Sequence, residues 1–172
     1  MSDWGGLREG HGIPLPQPHE ISGREKEDAM GSYLMMFAAW GFGLPLPFIS
    51  LIASIIYYYL NKKDSKFVGF HAFQALISQI PIAFLNAGAI FWLLILLIRE
   101  FKSWQGFLFY IILTVGMNIL YLVFSIIGAV KARKGQFYYF YFFGNIAFLR
   151  FYGPNAEKKE EKTGPNLPPR GF

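Results

Sequence analysis

Residues 66–79, KFVGFHAFQALISQ, turn a basic loop directly into an apolar segment that carries His71, Gln74, Ser78 and Gln79. From 67 to 98 the chain holds no formal charge when His71 is neutral. As one helix this run would measure ~48 Å, more than the ~30 Å of a bilayer core. The reading is a long transmembrane helix over about 67–98 that tilts, bends or begins in the interface, with Pro81 and the Asn86-Ala87-Gly88 step as the points of bending.

Composition points the same way. Of 172 residues, 53% are hydrophobic, 19% aromatic and only 16% charged, and the mean hydropathy is +0.32. That is too apolar for a soluble domain of this length. Cysteine is absent, which excludes a disulfide framework, a thiolate metal site and a thiol nucleophile. The first twenty residues lack the basic-then-apolar pattern of a cleavable signal, so the first membrane helix is expected to direct insertion. The net charge is +5. Because the basic residues flank apolar segments, they read as topology signals and lipid-headgroup contacts before nucleic-acid contacts.

Working outward, residues 1–28 form an arm whose Gly- and Pro-rich first part favours extended or disordered backbone. Ser22-Gly23-Arg24-Glu25 has the spacing of a capping box, so a helix is predicted to start there. The apolar region 29–60 is interrupted by Gly41-Phe42-Gly43-Leu44-Pro45-Leu46-Pro47, which leaves pieces of ~20 Å, each too short to span comfortably. It is either one broken span or a tight hairpin of two short helices. Downstream, a second long helix over about 106–130 ends in Lys131-Ala132-Arg133-Lys134-Gly135, a favourable termination. The aromatic segment 136–152 is placed at the membrane surface, and 153–172 reads as a flexible tail.

Charge arbitrates between span and hairpin. In a hairpin, Arg24, Lys26, Lys62, Lys63, Lys66, Lys131, Arg133 and Lys134 share one face, and only Arg99 and Lys102 lie opposite. A single span weakens the split to six against four. The positive-inside rule favours the hairpin, with both termini cytoplasmic. The expected fold is an all-α integral membrane protein, a four-helix bundle over 29–150 made of the short hairpin and the two long helices.

Both long helices carry a polar face. His71, Gln74, Ser78, Gln79 and Asn86 fall within about 140° of arc, and Thr114, Asn118, Tyr121, Ser125 and Gly128 within about 80°. The simplest arrangement packs one face on the other as interhelical contact, since the set contains no Asp, Glu, Lys or Arg. The sharper alternative is a hydrophilic path through the membrane. His71 could hold a metal, haem or chlorin, yet no second ligand lies near it in sequence, so it is expected at the cytoplasmic boundary, bonded to a neighbour or to water. No phosphate loop, zinc spacing or carboxylate pair emerges in the membrane region. The expectation is a non-enzyme without cofactor or metal. Lys62, Lys63, Lys66, Lys131, Arg133 and Lys134 form a basic cluster read as a topology signal, with acidic-lipid contact as the alternative.

Two stretches carry a family resemblance: Asn61-Lys62-Lys63-Asp64-Ser65-Lys66-Phe67-Val68-Gly69-Phe70-His71-Ala72-Phe73-Gln74-Ala75-Leu76, and Lys131-Ala132-Arg133-Lys134-Gly135-Gln136-Phe137-Tyr138-Tyr139. Together they resemble the bacterial four-helix membrane proteins related to the Tic-twenty subunit of the plastid inner-envelope translocon, over roughly 30–150. Gln136 stands where an acidic residue is common in that family, and further aromatics replace its proline-bearing turn. The resemblance implies a four-helix membrane fold in a bacterial inner membrane, with both termini on one side. The expected role is an accessory or scaffold subunit of a larger membrane complex, bound to other membrane subunits and lipids through its tails and aromatic surface. A component of a protein-translocation or solute-conducting channel is the alternative, and nucleic acid is not an expected partner.

Overall fold

The computed structural model describes residues 15–37, 47–62, 65–98, 104–153 and Asn166. The 41–46 break, Lys63, Arg99, Lys102, the arm before Leu15 and the rest of the tail beyond Gly153 lie outside them. Among the described residues the chain is all-helical: α1 (Gly23–Leu34), α2 (Pro47–Asn61), α3 (Lys66–Ile98), α4 (Trp104–Arg133) and α5 (Phe143–Tyr152), with a 3-10 turn over Met35–Phe37. The expectation of four helices omits α5, which lies in the aromatic segment 136–152. The helix is stabilised by its neighbours more than by its own propensity: Ala147, Phe148 and Tyr152 bury one face of it against Leu15 and Phe70.

Each helix begins and ends for a legible reason. Ser22 caps α1 as expected, its hydroxyl accepting from the Glu25 amide at 3.2 Å while the Glu25 carboxylate accepts from the Ser22 amide at 2.8 Å. Slight burial works upward on the Glu25 carboxyl, but the hydrogen bonds from Ser22 and Ser65 hold it below the ordinary carboxylate value. A lowered folded value stabilises the fold above the unfolded carboxyl's pKa, and that contribution is lost as pH falls through the folded value. Ser22→Ala should cost about 1 kcal/mol at neutral pH in detergent unfolding. The difference should shrink on acidification, as Glu25 takes up its proton.

Ser65 starts α3, its hydroxyl accepting from the Val68 amide at 3.1 Å. At its C-terminus α4 closes in a Schellman turn: the Gln136 amide donates to the Lys131 carbonyl at 3.0 Å and the Gly135 amide to the Ala132 carbonyl at 2.9 Å. Gly135 has φ +70°. A Cβ there would also lie 2.8 Å from Lys26 Cε and 3.1 Å from Pro18 Cα. Gly135→Ala should therefore lose about 1–2 kcal/mol from the backbone conformation alone, measured as a fall in the unfolding midpoint.

The long helix α3 is central. Trp92 meets Phe107 while Asn86, nearer the start of α3, meets Asn118, so α4 runs back along it. Tyr33 reaches His71 from α1, Ser54 reaches Gln79 from α2, and Gly144 of α5 lies against Gln74. Because Tyr58 meets Phe73 while Ser54 meets Gln79, α2 descends along α3. In α1, Tyr33 meets His71, and Glu25 at its start meets Ser65, so α1 ascends. Three glycines form notches for aromatic rings from neighbouring elements: Gly31 for Tyr57, Gly69 for Phe151 and Gly128 for Tyr33. A Cβ at any of them would come within 2.5–2.8 Å of that side chain.

Packing is uneven along α3. From Phe67 to Gln79 nearly every residue is buried, whereas Phe84, Phe91, Leu94, Leu97 and Ile98 are exposed. Two helices, α3 and α4, are long and apolar enough to cross a membrane, and only 22% and 6% of their apolar windows are buried. A helix in a soluble core would be mostly buried. The chain is a membrane protein.

Short parts of the arm and tail are described. Leu15 and Ile21 are buried in the core. Asn166 is buried too, its amide nitrogen donating to the Pro16 carbonyl at 2.7 Å and the Gly135 carbonyl at 2.9 Å. Its side-chain oxygen accepts from the Phe137 amide at 3.0 Å. Polar, Pro-rich composition signals weak self-packing, but Leu15, Ile21 and Asn166 pack on the helical body of their own chain.

Candidate functional site

The chemistry-bearing residues converge around Tyr33. Its ring fills the Gly128 notch of α4, and its hydroxyl lies 2.8 Å from His71 Nδ1 and accepts from Gln74 Nε2 at 2.8 Å. The hydroxyl proton needs an acceptor, and Gln74 Nε2 is a donor. Tyr33 therefore donates to Nδ1, and the neutral imidazole carries its proton on Nε2.

Gln74 completes the network. Its other amide hydrogen goes to the Tyr138 carbonyl at 2.9 Å, and its oxygen accepts from the Phe140 amide at 3.2 Å. The glutamine thereby supplies the backbone of 136–140 with the partners a helix or strand would have given. His71 and Gln74 are both 0% exposed. Rings of Phe67, Phe70 and Phe137 surround the imidazole at 4.6, 5.0 and 5.9 Å. Nε2 faces the Gln136 backbone without a well-formed hydrogen bond. Enclosed by phenylalanines and bonded to Tyr33, His71 is packed as an interior residue.

The expected union of two polar faces is realised only in part. Asn86 and Asn118 exchange a pair of amide hydrogen bonds at 3.2 and 2.8 Å, and Asn118 also donates to the Thr114 carbonyl at 2.8 Å. Tyr121 lies close to Ser78 and Ser125. Gln79 instead turns to Ser54 of α2, Gly128 receives Tyr33 of α1, and His71 with Gln74 faces α1 and the 136–140 segment. The face of α3 spans so wide an arc that several elements divide it. The Thr114 hydroxyl is buried without a side-chain hydrogen bond among the described residues. A double-mutant cycle on Asn86→Leu and Asn118→Leu should give a coupling of about 0.6 kcal/mol, typical of interhelical hydrogen bonds in membranes.

The basic residues of the cluster take separate partners. Arg133 pairs with Glu27 at 2.8 Å, Lys131 donates to Gln136, Lys62 bends over Tyr59, and Lys66 and Lys134 are exposed. The sequence reading missed Tyr33, Ser54 and Asn166. Tyr33 sits three turns into a recognisable capped helix, but nothing local distinguishes it from other membrane-helix tyrosines. The aromatic segment expected at the membrane surface contributes Phe140 and Phe148 to the core, packs Phe137 against it, and leaves Tyr141 and Phe142 exposed.

No curated protein and no solved structure matched the chain. A family match covers residues 27–149 and overturns the Tic-twenty resemblance. Both stretches on which that resemblance rested lie inside the matched span. Their residues make the His71–Gln74 network and the Schellman turn, which are packing and termination features that a helical membrane fold can reuse in unrelated families. The chain belongs to the magnetosome magnetite crystal formation protein family, MamF/MmsF.

Proposed function

We propose that this chain is a non-catalytic accessory subunit of the magnetosome membrane that supports magnetite crystal formation. The observation that carries the reading is the family match, whose span from 27 to 149 takes in the core of the helical body and the whole Tyr33–His71–Gln74 network. Its partners are other membrane subunits and lipids. The long helices α3 and α4 cross the bilayer, and α1 and α2 form a hairpin that returns to its own side. Opposed directions of α1 and α2 along α3 support that hairpin. They gather Arg24, Lys26, Lys62 and Lys66 with Lys131, Arg133 and Lys134 at one end, which is the cytoplasmic side by the positive-inside rule. The less buried part of α3, residues 80–98, is ~28 Å long and matches one hydrocarbon core.

Deleting the chain from a magnetite-forming cell is expected to change the size or number of crystals seen by electron microscopy, and restoring it should reverse the change. Unaltered crystals would refute the role. The topology has a direct assay because the chain has no native cysteine. Cysteines introduced at Arg24, Lys62 and Lys134 should all react with an impermeant maleimide from the same side, and a split result would refute the hairpin.

A further inference from the structure

The geometry points to a binding site for an anionic phospholipid where α2, α3 and α5 meet. Lys62 folds back from the end of α2 so that its Nζ lies 4.0 Å from the Tyr59 ring centroid and 5.5 Å from that of Tyr58. Arg150 of α5 lies 4.6 Å over the ring of Phe73 in α3. Tyr58 and Phe73 are themselves 5.6 Å apart, and Phe73 is 6.2 Å from Phe151. The two cations therefore stand on neighbouring rings of one aromatic platform.

Neither cation has a carboxylate partner among the described residues, whereas Arg24 and Arg133 pair with Asp28 and Glu27. An aromatic face holds a cation in place without neutralising it, so its N–H donors stay available to an anion. The flanks are apolar and open: Ile56 and Leu60 on α2 are 54% and 70% exposed, and Leu149 beside Arg150 is 46% exposed. Two positioned cations with exposed aliphatic walls fit a phosphate that carries acyl chains. A free phosphate would use the cations and leave the walls bare. The site lies toward the end of the molecule placed above at the cytoplasmic headgroup level, so the inference rests on that membrane placement.

The test uses the full chain, purified in detergent and examined by native mass spectrometry with added phosphatidylglycerol, phosphatidylcholine or inorganic phosphate. Wild-type protein should retain phosphatidylglycerol in preference to phosphatidylcholine. Lys62→Gln with Arg150→Gln should weaken that retention about 30-fold, as expected for two surface cations. The exchanged pair Lys62→Arg with Arg150→Lys should largely restore it, and Lys131→Gln with Lys134→Gln should leave it nearly unchanged. Phe73→Leu keeps both charges but removes the seat of Arg150, and should also weaken binding; circular dichroism checks that each variant remains helical. Equal retention of both lipids, unchanged binding in the double glutamine variant, or full displacement by inorganic phosphate would overturn the site. If the chain is found in the membrane fraction, such a result refutes the site alone. Absence from that fraction refutes the membrane placement itself.

Discussion

Replacing Gln74 by leucine is expected to produce the largest loss of stability of any single change in the helical body. Leucine fills a similar volume, so the effect comes from hydrogen bonding and not from a cavity. The side chain of Gln74 serves the Tyr138 carbonyl, the Phe140 amide and the Tyr33 hydroxyl, all from a position that is 0% exposed. Removing it leaves two backbone groups and a hydroxyl short of partners, at a cost of about 1–3 kcal/mol for each group left unsatisfied. A total of about 3 kcal/mol or more is therefore expected, several times the ~0.6 kcal/mol of an average interhelical bond in a membrane. Tyr33→Phe should cost less, because it spares the backbone contacts. The two changes should be strongly non-additive, since both remove the Tyr33–Gln74 bond. Thermal unfolding in detergent, followed by circular dichroism, measures all three variants. A Gln74→Leu protein as stable as wild type would refute the structural role assigned to the network.

Asn166→Ala is the second large expectation, and its effect should be local. The side chain closes a knot of the Pro16 and Gly135 carbonyls and the Phe137 amide, and its main chain meets Gln17 at 3.2 and 3.4 Å. Alanine leaves the Gly135 carbonyl and the Phe137 amide in a partly buried place without that partner, which should cost about 2–4 kcal/mol. The Leu15–Ile21 segment would lose its tie to the α4 exit. Amide hydrogen exchange should then accelerate at 15–21 and at 135–140 while α3 and α4 keep their protection. Asn166→Asp should fail to rescue, because a carboxylate oxygen would face the two carbonyls where an amide now donates. Uniform exchange across the molecule, or none at 15–21, would show that the contact does not hold the arm.

Several parts of this architecture were legible because local chemistry sets them. The capping box at Ser22, the basic last turn followed by Gly135, and the two long uncharged helices are short-range patterns, and the structure keeps each of them. Asn86 and Asn118 were legible too, since a polar side chain on an apolar helix in lipid needs a polar partner nearby. The rest depended on distant residues. That α5 forms at all reflects the burial of Ala147 and Phe148 against Phe70 and Leu15, more than a hundred residues away in the case of Leu15. Asn166 bears no mark that separates it from any other asparagine in a polar tail.

The family anchor shows the same division. FHAFQAL looked like a signature of translocon relatives, but its conspicuous residues are explained by what they touch: Gly69 by Phe151, His71 by Tyr33, Gln74 by the 136–140 backbone. By itself, the sequence of residues 66–79 determined that a basic start leads into a long apolar helix with polar groups on one side. Only the tertiary structure decided which element each polar group meets, because a helix of 3.6 residues per turn presents its side chains to several neighbours at once, and the sequence does not say which neighbour stands where.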